Sequence, residues 1–80
     1  MRYTISMTLT VNAKTQAEIG RKLREAREHK NLLQEEVAKS AGISSSYYAR
    51  IERGEENPST TVIENICRAL NIKSSDVFPF

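Results

Sequence analysis

A short polar stretch near the middle of the chain has the residue types best suited to hydrogen-bond a ligand. Read as a helix, residues 45–53 place Tyr48 and Ile51 three positions apart on one face, which we expect to be buried. The opposite face then carries small, polar or singly charged side chains, namely Ser45, Ser46, Ala49 and Arg50, with Tyr47 on its flank. Such side chains do not fill a core, but they suit a groove lined by the hydrogen-bonding edges of bases.

Two short helices joined by a tight turn would present this polar face. The first is predicted over residues 34–40, and Gly42 follows it as the residue that tolerates the positive φ of a tight bend. Ser44 is a suitable N-cap for the second helix, which we expect to run to about residue 53 before Gly54 ends it. Two short helices around a glycine-containing turn are the pattern of a helix-turn-helix motif.

Further helices are predicted on both sides of this pair. The sequence TQAE at residues 15–18 has the form of a capping box, so we expect helix 1 to begin there and to end near residue 30. A fourth helix is expected after a cap at residue 59 or 60, and a fifth, very short one begins at residue 74 or 75.

The first twelve residues have a different pattern. Apolar side chains alternate there with Thr and Ser, and they are Tyr3, Ile5, Met7, Leu9 and Val11. This period of two predicts one strand with an apolar face. Because the rest of the chain looks helical, the strand either pairs with the same strand of a second chain or is an arm packed on the helices. The fold expected is therefore an all-α, five-helix domain over residues 14–80 with an N-terminal β-strand arm over residues 1–13.

Composition and residue placement exclude several classes of protein. Twelve Lys and Arg residues against ten Asp and Glu give a net charge of +2, which permits nucleic-acid binding without requiring it. The three glycines are too far apart for a phosphate-binding loop, and no nucleophile has a histidine partner. We therefore expect no enzymatic activity.

The single cysteine, Cys67, and the single histidine, His29, also limit the chemistry. One thiol and one imidazole do not make a zinc site, so we expect no metal, no cofactor and no small-molecule ligand. Cys67 falls beside the apolar stripe of the fourth helix, which favours a core position over a redox role. The lone thiol and the absence of a signal sequence indicate a cytoplasmic protein. No stretch approaches the ~18 apolar residues that would span a membrane.

Six segments, taken in order and at their spacing, resemble the Xre family of helix-turn-helix regulators, which includes phage repressors and the controller proteins of restriction-modification systems. The segments are IGRKLREAR at 19–27, QEEVA at 34–38, AGIS at 41–44, RIERG at 50–54, NPS at 57–59 and ALNI at 69–72. The resemblance extends from about residue 19 to residue 78, roughly three quarters of the chain.

This resemblance implies that the third helix enters the major groove of double-stranded DNA. The residues it places at bases are Ser45, Ser46, Tyr47 and Arg50. Each has an alternative interpretation. The serines are also suited to the solvent-facing start of a helix, Tyr47 to the rim of the core, and Arg50 to a surface salt bridge with an acidic neighbour.

The resemblance also implies contacts with DNA phosphates and one structural ion pair. The phosphate contacts are Gln34, Asn57 and Ser59. Arg53 either contacts phosphate as well or caps the end of the third helix. Arg27 and Glu52 match a buried ion pair that ties the first helix to the third. Leu33 departs from the family, which usually has Ser or Thr before the second helix, so we expect that helix to lack a side-chain N-cap, at a cost of ~1 kcal/mol.

The function implied is sequence-specific regulation of transcription by a homodimer. Two copies of the third helix would enter successive major grooves of a palindromic operator, about 34 Å apart. The dimer would form through the N-terminal strand or through the C-terminal end of the chain. The alternative is an antitoxin or another protein-interaction module on the same fold. If Glu52 is buried against Arg27, the face of the third helix favours DNA; if Glu52, Glu55 and Glu56 all project there, it does not.

Overall fold

The computed structural model describes residues 13–78, which form four α-helices and one 3₁₀ turn. The helices are α1 (Ala13–His29), α2 (Gln34–Ala41), α3 (Ser45–Glu52) and α4 (Thr60–Leu70), and the 3₁₀ turn is Ser74–Asp76. The helix-turn-helix predicted from the sequence is confirmed as the pair α2 and α3.

The predicted five-helix domain with a β-strand arm is wrong. The fifth element is a single 3₁₀ turn, closed by bonds such as Val77 N to Ser74 O at 3.0 Å, because Ser, Ser and Asp are weak helix formers. No strand occurs within residues 13–78, where all regular backbone hydrogen bonding is helical and no sheet edge is available for an arm to join. The strand predicted over residues 1–12 lies outside the described residues.

The start of α1 also differs from the prediction. Residues 15–18 were expected to cap this helix, but α1 already includes Ala13 and Lys14. Both are strong helix formers, so the capping sequence lies inside the first turns instead of at the helix end. Position 13, assigned to the arm by its sequence, is therefore helical.

The turn between α2 and α3 depends on one glycine. Gly42 ends α2 with φ 76°, in the left-handed region that a residue with a Cβ avoids. The amide of Ile43 then bonds the carbonyl of Ala38 at 3.0 Å, which closes the end of α2. Ser44 caps α3 by accepting from the amide of Tyr47 at 3.0 Å, as predicted. The chain thus changes direction within three residues, and α3 begins with its polar residues.

The start of α2 confirms the missing N-cap. Leu33 makes no side-chain cap hydrogen bond there, but the Glu36 carboxylate accepts from the Leu33 amide at 2.7 Å. Half of a capping box is therefore present, and it is supplied from inside the helix. The Leu33 side chain is left 59% exposed.

The core lies where all four helices meet. Its largest fully buried side chains are Tyr48, Ile19, Leu23, Ile51, Ile63, Ile66, Leu70, Val37 and Val77. The helix α2 packs against α3 and α4, and α1 packs against α3. At the crossing of α1 and α3, a Cβ on Gly20 would overlap the carbonyl oxygens of Ile51 and Glu52. The two helix backbones are therefore in direct contact, and the absence of a side chain at position 20 allows it.

Cys67 belongs to this core, and burial raises the pKa of its thiol to about 11. The thiol is therefore protonated near neutral pH. Within residues 13–78 no group of His, Cys, Asp and Glu side chains could hold a metal ion. No helix in that range is both long enough and apolar enough to cross a membrane.

Candidate nucleic-acid interface

The helix α3 has two chemically different sides. Tyr48, Ile51 and Glu52 are buried on its inner side. On the outer side Ser45 and Ser46 are exposed, and the residues that follow, Tyr47 and Arg50, are half-buried. The division predicted from spacing is therefore present, and a polar surface extends along the first two turns of the helix.

A network of polar side chains fixes the inner side. Arg27 donates from Nε to Oε2 of Glu52 at 2.7 Å and from Nη2 to Oε1 at 3.1 Å. Its third nitrogen, Nη1, donates to the carbonyl of Leu32 at 2.8 Å. Gln34 adds a bond from Nε2 to Oε1 of Glu52 at 2.9 Å. One buried carboxylate therefore joins α1, α2 and α3.

The electrostatics of this network favour the charged pair. Burial by itself raises the pKa of Glu52, but its interactions with Arg27, Tyr48 and Gln34 outweigh this effect, so the pKa lies below its ordinary value. The bond to Glu52 likewise raises the pKa of Arg27. Both groups are therefore ionised at neutral pH, and the carboxylate is satisfied.

Tyr48 lies beside this pair with its ring fully buried. Its hydroxyl is buried without a hydrogen bond of regular geometry. Burial, and then the neighbouring Glu52 carboxylate, raise the pKa of the phenol well above its ordinary value. Tyr48 therefore acts as a neutral core residue, which separates it from its neighbour Tyr47 on the outer side.

Arg50 is held on the outer side of α3 by three contacts. Its Nε donates to Oε2 of Glu56 at 2.9 Å, and its Nη1 donates to Oγ of Ser46 at 3.0 Å. The guanidinium also lies 5.9 Å from the centroid of the Tyr47 ring, within the range of a cation–π contact. The surface salt bridge considered as an alternative for Arg50 is thus present, and it uses part of the guanidinium only.

Arg53 makes both of its side-chain hydrogen bonds to one carboxylate. It is the C-cap residue of α3, and its side chain donates from Nε and Nη2 to the two oxygens of Glu55 at 3.0 and 3.1 Å. Both partners are exposed. Glu52 is thus buried against Arg27, while Glu55 and Glu56 project outward, one against each of the two outer arginines.

The three residues expected at phosphates occupy helix starts or the loop before one. Gln34 begins α2, and together with Leu33, Glu35, Ser45 and Ser46 it lines an open cleft between the starts of α2 and α3. Ser59 caps α4 by accepting from the amide of Val62 at 3.2 Å, and Asn57 is exposed just before it. The structure therefore brings Gln34 to the serines of α3, whereas Asn57 lies beside Glu56.

Two partners in this region were not found from the sequence. Nothing in the spacing indicates that Gln34 bonds Glu52, because the two are eighteen residues apart. Glu56 follows Arg50 by six residues, across the Gly54 turn, and its direction depends on the loop conformation. An acidic residue near an arginine of the outer face was the only available signal.

Comparison with known proteins gives consistent results. A family model described as Helix-turn-helix (HTH_3) matches residues 23–77. The HTH-type transcriptional regulator YazB of Bacillus subtilis is 42% identical over 65 residues, which is 80% of this chain and 94% of that protein. The immunity repressor protein of Bacillus phage phi105 is 36% identical over 59 residues, which is 74% of this chain and 41% of the repressor.

Among solved structures, the restriction-modification controller protein C.AhdI from Aeromonas hydrophila superposes with a TM-score of 0.77. It is 36% identical to this chain, and the match covers 79% of this chain and 96% of that one. All three names describe regulators, repressors or controllers, and none describes an enzyme.

Proposed function

The chain belongs to the helix-turn-helix family HTH_3 of DNA-binding transcription regulators, and from this premise we propose that it binds a palindromic operator as a homodimer, with α3 in the major groove. Operator symmetry would then mirror the two-fold symmetry of the dimer, with half-sites about 34 Å apart.

The observation that carries this proposal is the division of α3 into a fixed inner side and a polar outer side. Glu52 and the core hold the inner side, so the outer side keeps its position relative to the rest of the domain. The donors and acceptors on that side determine which base sequence is bound. They are Ser45, Ser46, Tyr47 and Arg50. Small side chains in the first turn also let the helix backbone approach the floor of the groove.

Contacts with phosphate supply affinity that does not depend on sequence. Gln34, Arg53, Asn57 and Ser59 fill this role in the proposal. Gln34 keeps one amide N–H for a phosphate after its bond to Glu52, and Ser59 keeps its hydroxyl hydrogen after capping α4. Arg53 keeps three of its five N–H groups for a phosphate after its two bonds to Glu55. Each such contact makes binding weaker as salt concentration rises.

The test is selection from a random double-stranded DNA library at fixed moderate salt, followed by sequencing. We expect a palindrome with half-sites about one helical turn apart, and a mass of two protein chains per selected duplex by light scattering. A double variant S45A and S46A should lose the motif. The matched control is Arg68→Ala, since Arg68 is exposed near the end of α4 and, within residues 13–78, its side chain bonds Asn65.

The opposite result would change the proposal. Salt-sensitive binding without a motif would favour the protein-interaction module, for which Glu55, Glu56 and the exposed Leu33 side chain would form part of the surface. A single half-site bound by one chain would contradict the homodimer but keep the role of α3.

A further inference from the structure

The three arginine–glutamate pairs around α3 differ in how much of each guanidinium they use. Arg27 has all three nitrogens bonded, two to Glu52 and one to a carbonyl. Arg53 gives its Nε and Nη2 to both oxygens of Glu55. Arg50 gives Nε to Glu56 and Nη1 to Ser46, and its Nη2 makes no hydrogen bond anywhere in residues 13–78. Arg50 and Arg53 thus each keep three of five N–H groups, and Arg50 is the one that lies within α3 and is half-buried.

The donors that remain on Arg50 lie at the far end of the guanidinium. An arginine has five N–H groups, and the bonds to Glu56 and Ser46 use two of them. Nη2 keeps both of its hydrogens and Nη1 keeps one. Two neighbouring donors of this kind match O6 and N7 of guanine, the pair of acceptors that guanine presents in the major groove.

We propose that Glu56 is a positioning residue that holds Arg50 so that its outer Nη edge reads a guanine. This inference rests on the proposed function, in which α3 enters the major groove. Glu56 lies in the loop after α3, so it restrains the Arg50 side chain from outside the helix that presents it. Fixing the side chain before binding reduces the rotamer freedom that binding would otherwise remove.

The same carboxylate also has an unfavourable effect on DNA binding. Its negative charge is half-exposed next to the proposed interface and repels phosphate. Removal of Glu56 should therefore have two effects of opposite sign. Binding to random DNA should become stronger, and the preference for guanine at the Arg50 position should become weaker. A residue that only stabilised the fold would not separate these two effects.

The experiment measures binding of the full chain to the operator obtained by selection. Four versions of the operator are used, one with each base at the position that responds to Arg50→Ala. Glu56→Ala should lower the preference for guanine about tenfold, the discrimination expected of one bidentate contact. Glu56→Gln should restore part of that preference, because its amide oxygen still accepts from Nε. Glu55→Ala is the matched control: it removes the same charge, should strengthen binding to random DNA to a similar extent, and should leave the guanine preference unchanged.

The outcomes separate this inference from the proposed function. A selected motif whose guanine preference is equal in wild type, Glu56→Ala and Glu55→Ala would overturn the role of Glu56 and leave the proposed function intact. The same holds if no guanine position responds to Arg50→Ala. If the wild type selects no motif, the proposed function fails and the inference fails with it. Urea unfolding of each variant checks that the fold is kept.

Discussion

The inner and outer sides of α3 carry the same chemical pair in two environments. Arg27 and Glu52 are 2.7 Å apart with side chains 13% and 2% exposed, whereas Arg50 and Glu56 are 2.9 Å apart with 40% and 32% exposed. The distances hardly differ, so burial decides what each pair does. Loss of one partner from a buried pair leaves an uncompensated charge, while an exposed pair contributes ~0–1 kcal/mol. The inner pair therefore holds the fold, and the outer pair is available for recognition.

The largest test of this difference is Glu52→Ala. Its loss leaves Arg27 and the amide of Gln34 without their buried acceptor, so we expect the free energy of unfolding to fall by about 3–5 kcal/mol. Urea unfolding followed by circular dichroism measures it. Glu56→Ala is the matched variant on the outer side. Its free energy of unfolding should fall by ~1 kcal/mol or less. Equal losses in the two variants would contradict the distinction between the sides.

A smaller effect is expected from acid, because protonation removes the charge of Glu52 but not its side chain. The pKa of Glu52 is lower in the folded protein than its ordinary value of 4.5. The stability it contributes is therefore fully present above about pH 4.5 and is lost as the pH falls through the lower folded value. Unfolding measured from pH 7 to pH 3 should show this loss.

Glu52→Gln should remove most of that pH dependence, since the amide does not titrate. Glu55→Gln serves as the control, because the pKa of Glu55 is also lowered by Arg53 but both groups are exposed. The interpretation fails if Glu52→Gln and wild type lose stability equally between pH 5 and pH 3.

On the outer side, Arg50→Ala should weaken DNA binding without weakening the fold. We expect a loss of about 1–3 kcal/mol in binding to the selected operator, the value of one base contact. The free energy of unfolding should change by less than ~0.5 kcal/mol. Fluorescence anisotropy with labelled operator and urea unfolding measure the two quantities. An equal loss on all DNA sequences would instead indicate a phosphate contact.

The smallest expected effect is that of Glu55→Ala. Both partners of this pair are exposed, so the unfolding midpoint should not change measurably. Arg53 is then released toward phosphate, and the slope of log affinity against log salt should steepen by about one unit. Binding measured at four or five salt concentrations gives this slope. An unchanged slope would mean that the loss of Glu55 adds no phosphate contact by Arg53.

The two helices α2 and α3 and their turn could be predicted because the residues that determine them act locally. Gly42 at a positive φ and Ser44 bonding an amide three residues later act within one turn of the chain. The joining of Arg27 to Glu52 was available only through the resemblance, since the two lie twenty-five residues apart. The bond between Glu56 and Arg50 depends on how one loop folds back, and no pattern in the sequence encodes it.

The errors in the fold prediction have a related cause. The predicted arm ended at residue 13, and a capping sequence was placed at the start of α1, but α1 already includes Ala13 and Lys14 before that sequence. The last predicted helix is one 3₁₀ turn because three short polar residues cannot continue it. Periodicity identified the type of the long elements correctly and placed their ends poorly.

The contact between the backbones of α1 and α3 at Gly20 has a consequence for protein engineering. That crossing lies on the inner side of α3, where Tyr48, Ile51 and Glu52 are buried, and positions 45, 46, 49 and 50 face away from it. The four side chains at these positions should therefore be replaceable, as a set, by those of another recognition helix. The domain would then serve as a constant frame, and a library varied at these positions alone could yield regulators that address new operators while unfolding at the same urea concentration.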